Sequence, residues 1–419
     1  MTATLFVVAI AALVLPGLVL SAIPYVRSLD VPGRVAVALP GGMFLATAAM
    51  FAMSGIGVRW SRGMLVGVLL PVAIIAIWPL TRPSGTLSPR AGREVYALLL
   101  IPLALTVWGV LTARETCGDY LFFWGPKAVH FLAARKIDVH YLGYTFYYLA
   151  HPDYPPLLPL TYVWGGMVGR GFSWWGGLLL LPLTLAAATF GFRGIAARAI
   201  GDRNASLYAL LLLCVLAYAY EIGPVGGGGE PPLLLFETIA VAALTFAPND
   251  RGAVLLASIM AAGAVLTKVE GTIFAGTLAI AYVMSHRRFK EPAAYLVLPG
   301  VCFVSWIAFV KHFHLLDIYA SRNPMHLEHL GKVVKLLVTD SMQYAAGYLP
   351  FLAAAAPLIF NRNWRRAALP LLVTAGSLAS SVYVYLHMPD PTFFIASSAH
   401  RLLLTPLMSL AVASAAASE

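Results

Sequence analysis

The chain is organised around residues Gly118–Leu160, which read GDYLFFWGPKAVHFLAARKIDVHYLGYTFYYLAHPDYPPLLPL. This stretch is dense in ionisable and aromatic residues, and apolar runs long enough to cross a bilayer lie before and after it. Long polar segments between membrane spans usually carry a site. The candidate functional residues of this stretch are therefore its ionisable side chains, which are Asp119, Lys127, His130, Arg135, Lys136, Asp138, His140, His151 and Asp153.

The composition excludes an ordinary soluble protein. The 419 residues are 60% hydrophobic and only 11% charged, whereas a soluble domain carries about 25% charged residues. The formal net charge is +10, but the basic residues sit in short loops between apolar runs, so they indicate membrane topology rather than a nucleic-acid partner. Three cysteines without a CxxC pair predict neither a disulfide framework nor a metal site.

The apolar runs predict an all-α polytopic membrane protein with roughly 13–14 transmembrane helices. The first run has no basic segment before it and is read as an uncleaved span. The predicted spans are Leu5–Ile23, Val35–Gly57, Met64–Leu80, Val95–Thr112, Pro156–Val168, Trp175–Phe192, Ser206–Tyr220, Leu233–Phe246, Ala253–Leu266, Thr272–Met284, Ala293–Val310, Tyr344–Phe360, Ala367–Tyr385 and Leu402–Ala416.

The basic loops predict the orientation. The positive-inside rule places them in the cytoplasm; they hold Arg82, Arg90, Arg93, Arg193, Arg198, Arg203, His286–Lys290 and Asn361–Arg366. Most carboxylates and nearly all histidines then fall on the opposite face, in segments Ala113–Pro155, Glu221–Glu230, Lys268–Glu270, His312–Gln343 and His387–Arg401. This orientation needs an odd number of crossings between Pro155 and Arg193, so one of the two apolar segments there is predicted not to span fully.

Asp119 lies just beyond a predicted span and is flanked by aromatic residues that include Trp124. Partial desolvation at the membrane boundary raises a carboxyl pKa, which suits a general base. A solvated loop aspartate that ends the helix is the structural alternative. The aromatic residues of this loop either form a platform for a sugar or acceptor, or belong to the aromatic belt of a membrane protein.

Lys127 belongs to segment 120–135, whose pattern predicts an amphipathic helix lying in the membrane interface. Lys127 would then either neutralise a lipid phosphate or snorkel to water. Downstream, prolines make the stretch from His151 through Asp153 and Tyr154 an extended entry to the next span. His151 and Asp153 are two residues apart, which is a weak metal-binding pattern.

Three further places carry ionisable residues near predicted span ends. Glu230 follows a glycine-rich turn, where glycines let the backbone approach a ligand closely, although a flexible turn is the alternative. Lys268 and Glu270 lie between two apolar segments, where they either bind a phosphate or pair with each other to cap the helices. His400-Arg401 opens the last span, where the arginine either clamps a phosphate or anchors the helix.

Taken in order, these pieces resemble the GT-C superfamily of integral-membrane glycosyltransferases, which includes protein O-mannosyltransferases and lipid A aminoarabinose transferases. The likeness runs from about residue 94 to the end. Residues 1–93 would be transmembrane helices additional to the family core, and 94–419 a catalytic module with outer loop 113–155. The matching pieces are Asp119 with W-x-x-K-A at Trp124–Ala128, H-P-x-Y-P-P-L at His151–Leu157, Glu230 before P-L-L-L-F, T-K-x-E-G at Thr267–Gly271 and S-S-A-H-R-L-L-L at Ser397–Leu404.

The resemblance implies transfer of one sugar, with inversion, from a polyprenyl-phosphate or polyprenyl-diphosphate carrier to a hydroxyl of a lipid or glycan acceptor. The reaction would take place on the outer side of the cytoplasmic membrane, without nucleic acid, and the superfamily leaves room for a divalent cation. Asp119 would be the base, and Lys127, Lys268 and Arg401 would stabilise the leaving phosphate. The residues expected at the sugar or acceptor are Glu230, Glu270, His151, Asp153, Tyr154, Trp124 and His400.

Two other classes of protein compete with the enzyme. A secondary transporter or lipid flippase also places charges at membrane depth and uses broken helices. However, the charges here cluster on one predicted face instead of at the midplane, and no internal repeat is evident. A non-catalytic membrane scaffold would not need Asp119, Lys268 and Arg401 on the same face.

Overall fold

The structure is a computed structural model that describes residues 3–65, 67, 93–113, 118–144, 151–169, 171–219, 228–315, 324–344, 348–361 and 363–419. These residues form helices joined by short connections. In chain order the α-helices are α1 (Ala3–Gly17), α2 (Pro24–Arg27), α3 (Val31–Gly55), α4 (Arg93–Ala113), α5 (Gly125–Ala134), α6 (Val139–Gly143), α7 (Leu157–Val168), α8 (Trp174–Ile200), α9 (Asp202–Ala219), α10 (Glu230–Phe246), α11 (Arg251–Thr267), α12 (Val269–His286), α13 (Lys290–His312), α14 (Leu330–Tyr344), α15 (Leu349–Phe360), α16 (Ala368–Leu386), α17 (Pro391–Leu402) and α18 (Leu404–Ala417).

The helical content and hydropathy confirm an all-α polytopic membrane protein. Five described segments are long and apolar enough to cross a membrane, and other predicted spans correspond to shorter helices. The five segments are Val31–Gly55, Gly176–Ile200, Lys290–His312, Ala368–Leu386 and Pro391–Ala417. Outside the described residues lie most of the predicted span Met64–Leu80, the loop 221–227, Arg82, Arg90, Arg362, Tyr147 and Tyr148.

Helices α7 and α8 differ in length, which bears on the predicted odd number of crossings between Pro155 and Arg193. It has 12 residues and is therefore only about 18 Å long, which is less than the roughly 30 Å of a hydrocarbon core. Helix α8 has 27 residues and is long enough. These lengths agree with the expectation that one of the two segments does not span fully, which stays a prediction.

One hydrophobic core unites the bundle and includes residues of α1, α3, α7 to α13 and α18. Helices α1 and α3 touch backbone to backbone, since a Cβ atom added at Gly42 would lie 1.6 Å from the carbonyl oxygen of Leu13. A Cβ added at Gly17 would lie 1.7 Å from the oxygen of Ala38. Helix α3 in turn packs on α8. The N-terminal helices therefore share their core with the later ones.

A buried cluster of ion pairs connects the C-terminal part of α8 to α3 and α9. Arg193, which is 3% exposed, pairs with Asp30 at the start of α3 and with Asp202 of α9, the latter at 2.8 Å. About 28 Å of helix separates Arg193 from Trp174 at the other end of α8. The sequence analysis placed Arg193, Arg198 and Arg203 in a basic loop, and this is wrong: Arg193 and Arg198 lie in α8, which continues to Ile200, and Arg203 lies in α9. Asp30 and Asp202 neutralise Arg193 within the helix.

Candidate functional site

Four helix ends bring ionisable side chains to one place. Asp119 directly precedes a single π-helical turn, Tyr120–Trp124. Glu230 is the first residue of α10, where the following prolines favour a helix start because they need no hydrogen-bond partner for a backbone N–H. Lys268 has extended backbone between α11 and α12. Arg401 lies in the last turn of α17.

The side chains form a connected set of ion pairs. Arg401 Nη1 lies 2.5 Å from Asp119 Oδ2 and 3.5 Å from Glu230 Oε1. Lys268 Nζ lies 2.8 Å from Glu230 Oε1 and 3.2 Å from Glu270 Oε1. We call these five residues the charged cluster. It combines three carboxylates with two cations, and Glu230 touches both cations.

The charged cluster confirms one expectation from the sequence. Asp119, Glu230, Lys268 and Arg401 come from four of the segments that charge distribution placed on a common face, and they meet in ion pairs. The pairing of Lys268 with Glu270, given above as an alternative to phosphate binding, is also present. Phosphate binding by Lys268 and Arg401 stays a prediction.

The acids of the charged cluster differ in their readiness to hold a proton. Burial raises the pKa of Asp119, and the neighbouring Glu230 raises it further, which outweighs the opposing effect of Arg401. Burial also acts to raise the pKa of Glu230, but Lys268 and Arg401 outweigh it and lower that pKa to about 2. Asp119 is therefore the acid of this pair that is closer to accepting a proton, which a general base must do.

The charge of Lys268 is stabilised by its partners. Burial acts to lower its pKa, but Glu230 and Glu270 outweigh that effect and hold the pKa above its usual value. Lys268 is only 5% exposed, so a permanent positive charge sits in a site with little water. An anion entering this site would meet a desolvated ammonium group, where electrostatic attraction is stronger than in water.

A wall of aromatic rings borders the charged cluster. Tyr154 stacks on Trp124 with ring centroids 5.4 Å apart and on His151 with centroids 4.7 Å apart. Lys268 Nζ lies 6.0 Å from the centre of the Tyr154 ring. These rings are part of the packed interior and not of a belt facing lipid, because Trp124 is fully buried and Tyr154 is 7% exposed.

Lys127 is enclosed behind this wall, and this corrects both expectations for it. Its side chain is 1% exposed, so it neither snorkels nor reaches a lipid phosphate at the surface. Its ammonium donates to the carbonyl oxygen of His151 at 2.5 Å and lies 5.2 Å from the centre of the Trp124 ring. The helix is amphipathic as predicted, but Lys127 lies on the side that packs inward, where it holds the backbone at His151.

Burial lowers the pKa of Lys127 from 10.5 to about 7, against the opposing effect of Asp153. Between these pH values Lys127 binds more protons in the unfolded chain than in the folded protein. The contribution of Lys127 to the free energy of unfolding therefore becomes more favourable to the folded state as the pH rises. We expect the thermal midpoint of the wild type to rise, relative to that of Lys127→Met, between pH 7 and pH 10. The measurement is thermal unfolding in detergent at several pH values.

The exposed Lys332 of α14 supplies the control for that experiment. Lys332→Met should keep a constant offset from the wild type over the same pH range. A constant offset for Lys127→Met as well would show that the Lys127 ammonium keeps an ordinary pKa.

The remaining predicted residues take different positions. The backbone of Asp153 is fixed by Trp306 of α13, whose indole N–H donates to the Asp153 carbonyl oxygen at 2.7 Å. Burial lowers the pKa of His151 to about 4, and the nearby cations add to this effect, so its ring is neutral at pH 7. His400 is half-buried on α17 directly before Arg401.

The sequence analysis missed a cavity and the acid within it. A cavity of about 60 Å³ lies beside the charged cluster. Its polar lining comprises Glu230, Lys268, Glu270, Arg401, Glu237, Thr405, Ser377, Ser380 and Ser381. Its apolar lining comprises Leu233, Ile273, Phe274, Val384 and Leu402. Glu237 was detectable, since it is a carboxylate inside a predicted span, two helical turns after Glu230 and so on the same face.

A metal site is not evident in the described part of the chain. No group of three or more His, Cys, Asp or Glu side chains there is arranged to hold a metal ion. His151 packs its ring between Phe123 and Tyr154. Among the described residues, His151 and Asp153 are therefore not joined by a third side chain that could complete a metal site.

Comparison with known proteins gives no relative. Neither a family model, nor a curated protein, nor a solved structure matches this chain. The features of the protein that bear on its function are the charged cluster, the aromatic wall and the cavity.

Proposed function

We propose that this protein is a membrane glycosyltransferase that moves a sugar from a polyprenyl-phosphate carrier to an acceptor hydroxyl. The observation that carries the proposal is the charged cluster, in which a carboxylate with a raised pKa, Asp119, shares the cation Arg401 with Glu230 beside a cavity. The order of the sequence pieces that resemble GT-C enzymes supports the same assignment.

The two cations of the cluster are suited to a lipid-linked phosphate. In the structure Lys268 and Arg401 contact carboxylates at 2.5 to 3.5 Å. A phosphate that enters between them competes with those carboxylates. Arg401 is then drawn from Asp119 to the phosphate, which releases the carboxylate to act as a base.

The transfer step needs one base and no general acid. The acceptor oxygen attacks the anomeric carbon of the sugar, and its proton passes to Asp119. The bond between the anomeric carbon and the phosphate oxygen breaks, and its electron pair stays on that oxygen, so the phosphate gains one negative charge as it leaves. Lys268 and Arg401 stabilise this added charge, which fixed charges do best in a site that excludes water.

We infer the side of the membrane on which the proposed site lies from the distribution of basic residues. Several basic residues gather in or beside short connections, as Arg193, Arg198 and Arg203 do around Gly201 between α8 and α9, and the positive-inside rule assigns such clusters to the cytoplasm. We therefore place the reaction on the outer side of the cytoplasmic membrane, where a polyprenyl carrier would present its sugar. The acceptor would be a lipid or a glycan.

The test is release of the lipid phosphate by purified protein in detergent. The donors are polyprenyl phosphates carrying different sugars, and crude membranes supply acceptors. The proposal expects release that requires both a donor of one particular sugar and an acceptor. Absence of release from every donor, together with uptake of a labelled solute by proteoliposomes, would overturn it in favour of a transporter.

A further inference from the structure

The cavity beside the charged cluster has a chemistry of its own. We propose that it binds the sugar of the donor and that Glu237 recognises the sugar's hydroxyl groups. This inference rests on the proposed function, because it assumes that the phosphate of the same donor sits at Lys268 and Arg401.

The position of the cavity fits a group attached to that phosphate. Lys268 and Arg401 belong to its lining, so a phosphate held by them lies at the edge of the cavity. Glu237 is two turns beyond Glu230 on α10, which places it about 10 Å further along the helix. The cavity measures about 60 Å³, whereas one water needs about 10–15 Å³, so several hydroxyl-sized groups fit.

Apart from Lys268 and Arg401, the polar side chains that line the cavity are carboxylates and hydroxyls, which all present hydrogen-bond acceptors. Glu237 is 1% exposed, and its Oε2 accepts from the Thr405 hydroxyl at 2.7 Å. Ser380 donates its hydroxyl proton to the carbonyl oxygen of Gly376 at 2.8 Å, and Ser381 donates likewise within its helix. A hydroxyl that has donated its proton can still accept. A ligand that complements this lining therefore brings donors.

One acceptor at the cavity lacks a donor among the described residues. Glu270 Oε1 contacts Lys268, but Glu270 Oε2 is buried and receives no hydrogen bond from the part of the chain that the structure describes. Buried polar atoms are usually satisfied, so this oxygen marks a place for a donor from outside the chain. An alkyl chain would leave it unsatisfied, whereas a sugar supplies several hydroxyl donors.

Glu237 is well placed to distinguish one sugar from another. Thr405 fixes one carboxyl oxygen of Glu237, and the other oxygen is available to the ligand. In either protonation state a carboxyl group keeps an oxygen that accepts. A buried acceptor built for a particular hydroxyl discriminates against a sugar that lacks it, because the acceptor is then left without a donor. Thr405 acts as a positioning residue for Glu237.

The experiment compares ligands with and without a sugar. Calorimetric titration in detergent measures the affinity for farnesyl phosphate and for farnesyl phosphate esters of glucose, mannose, galactose and arabinose. The proteins are the wild type, Glu237→Gln, Thr405→Val and, as a matched control in α4, Thr106→Val. Glu237→Gln preserves the shape of the side chain and an oxygen that accepts from Thr405, so it is expected to fold.

We expect Glu237→Gln to weaken the best sugar-bearing ligand by about tenfold or more, equivalent to about 1.4 kcal/mol, and to change farnesyl phosphate by less than about twofold. Thr405→Val should weaken the same ligand in the same direction, and Thr106→Val should change neither. Equal effects on both ligands, or no effect on either, would overturn the cavity assignment alone. Failure of every farnesyl phosphate ligand to bind the wild type would overturn the proposed function as well.

Discussion

Lys268→Met is expected to lower the free energy of unfolding by about 3–5 kcal/mol, as loss of one partner of a buried ion pair typically does. The substitution keeps an unbranched side chain but leaves two acids without their shared ammonium. Glu230 is 4% exposed and would retain only Arg401, at 3.5 Å. The measurement is unfolding in mixed micelles titrated with sodium dodecyl sulfate.

A double variant separates charge from packing in that result. The double variant Glu230→Gln, Lys268→Met has uncharged side chains at both positions of the ion pair, whose charged atoms lie 2.8 Å apart in the wild type. Replacing both members of a buried ion pair by uncharged groups often changes the free energy of unfolding little. We expect the double variant to regain most of the lost stability, and Lys332→Met, at an exposed position, to lose none. An equal loss in the single and double variants would show that packing of the lysine chain, and not its charge, stabilises the fold.

Asp119→Asn is expected to reduce release of lipid phosphate by about 10²–10⁴-fold, the usual contribution of a general base. Asparagine keeps the size of the side chain and a contact for Arg401 but cannot take the acceptor's proton. In the wild type the rate should rise with pH through the pKa of Asp119, which burial and Glu230 raise, because only the carboxylate form accepts a proton. Steady-state release of phosphate measures both effects.

Asp138→Asn is the matched control for that variant. Asp138 belongs, like Asp119, to the segment between α4 and α7, and it caps α6 by accepting from the backbone N–H of Tyr141 at 3.1 Å. Asparagine caps a helix equally well. The control should keep the wild-type rate. Unchanged release by Asp119→Asn would remove Asp119 as the base and leave the phosphate-binding proposal for the two cations standing.

Residue type and spacing were enough to predict the broad architecture. A chain with 11% charged residues has to bury its helices in lipid or in each other, and the described residues are accordingly helical. Charge distribution alone also grouped Asp119, Glu230, Lys268 and Arg401. Charged residues at the ends of spans on one side of a membrane share a small region outside the lipid core, so they are expected to lie near one another. Their pairing partners depended on the helix packing and were not predictable from spacing.

Residue type and spacing did not predict the environments of Lys127, Arg193 and Glu237. Lys127 was assigned to the surface from its amphipathic helix, but which side of that helix meets protein is decided by α7, which packs on it. Arg193 was assigned to a loop because its neutralising partner Asp30 lies 163 residues away in the chain. Glu237 was passed over inside an apolar run, although an acid in such a run always needs a physical explanation.

The ion pair of Asp30 and Arg193 also constrains the order in which the protein is assembled during synthesis. Asp30 leaves the ribosome 163 residues before Arg193, so α3 is made long before its counter-ion exists. Burying a carboxylate alone is costly, so we expect the first turn of α3 to stay at the water boundary until α8 is made. We therefore expect α3 to dock on α8 late in synthesis. Nascent chains that end before Arg193 lack the positive charge that neutralises Asp30 at the start of α3.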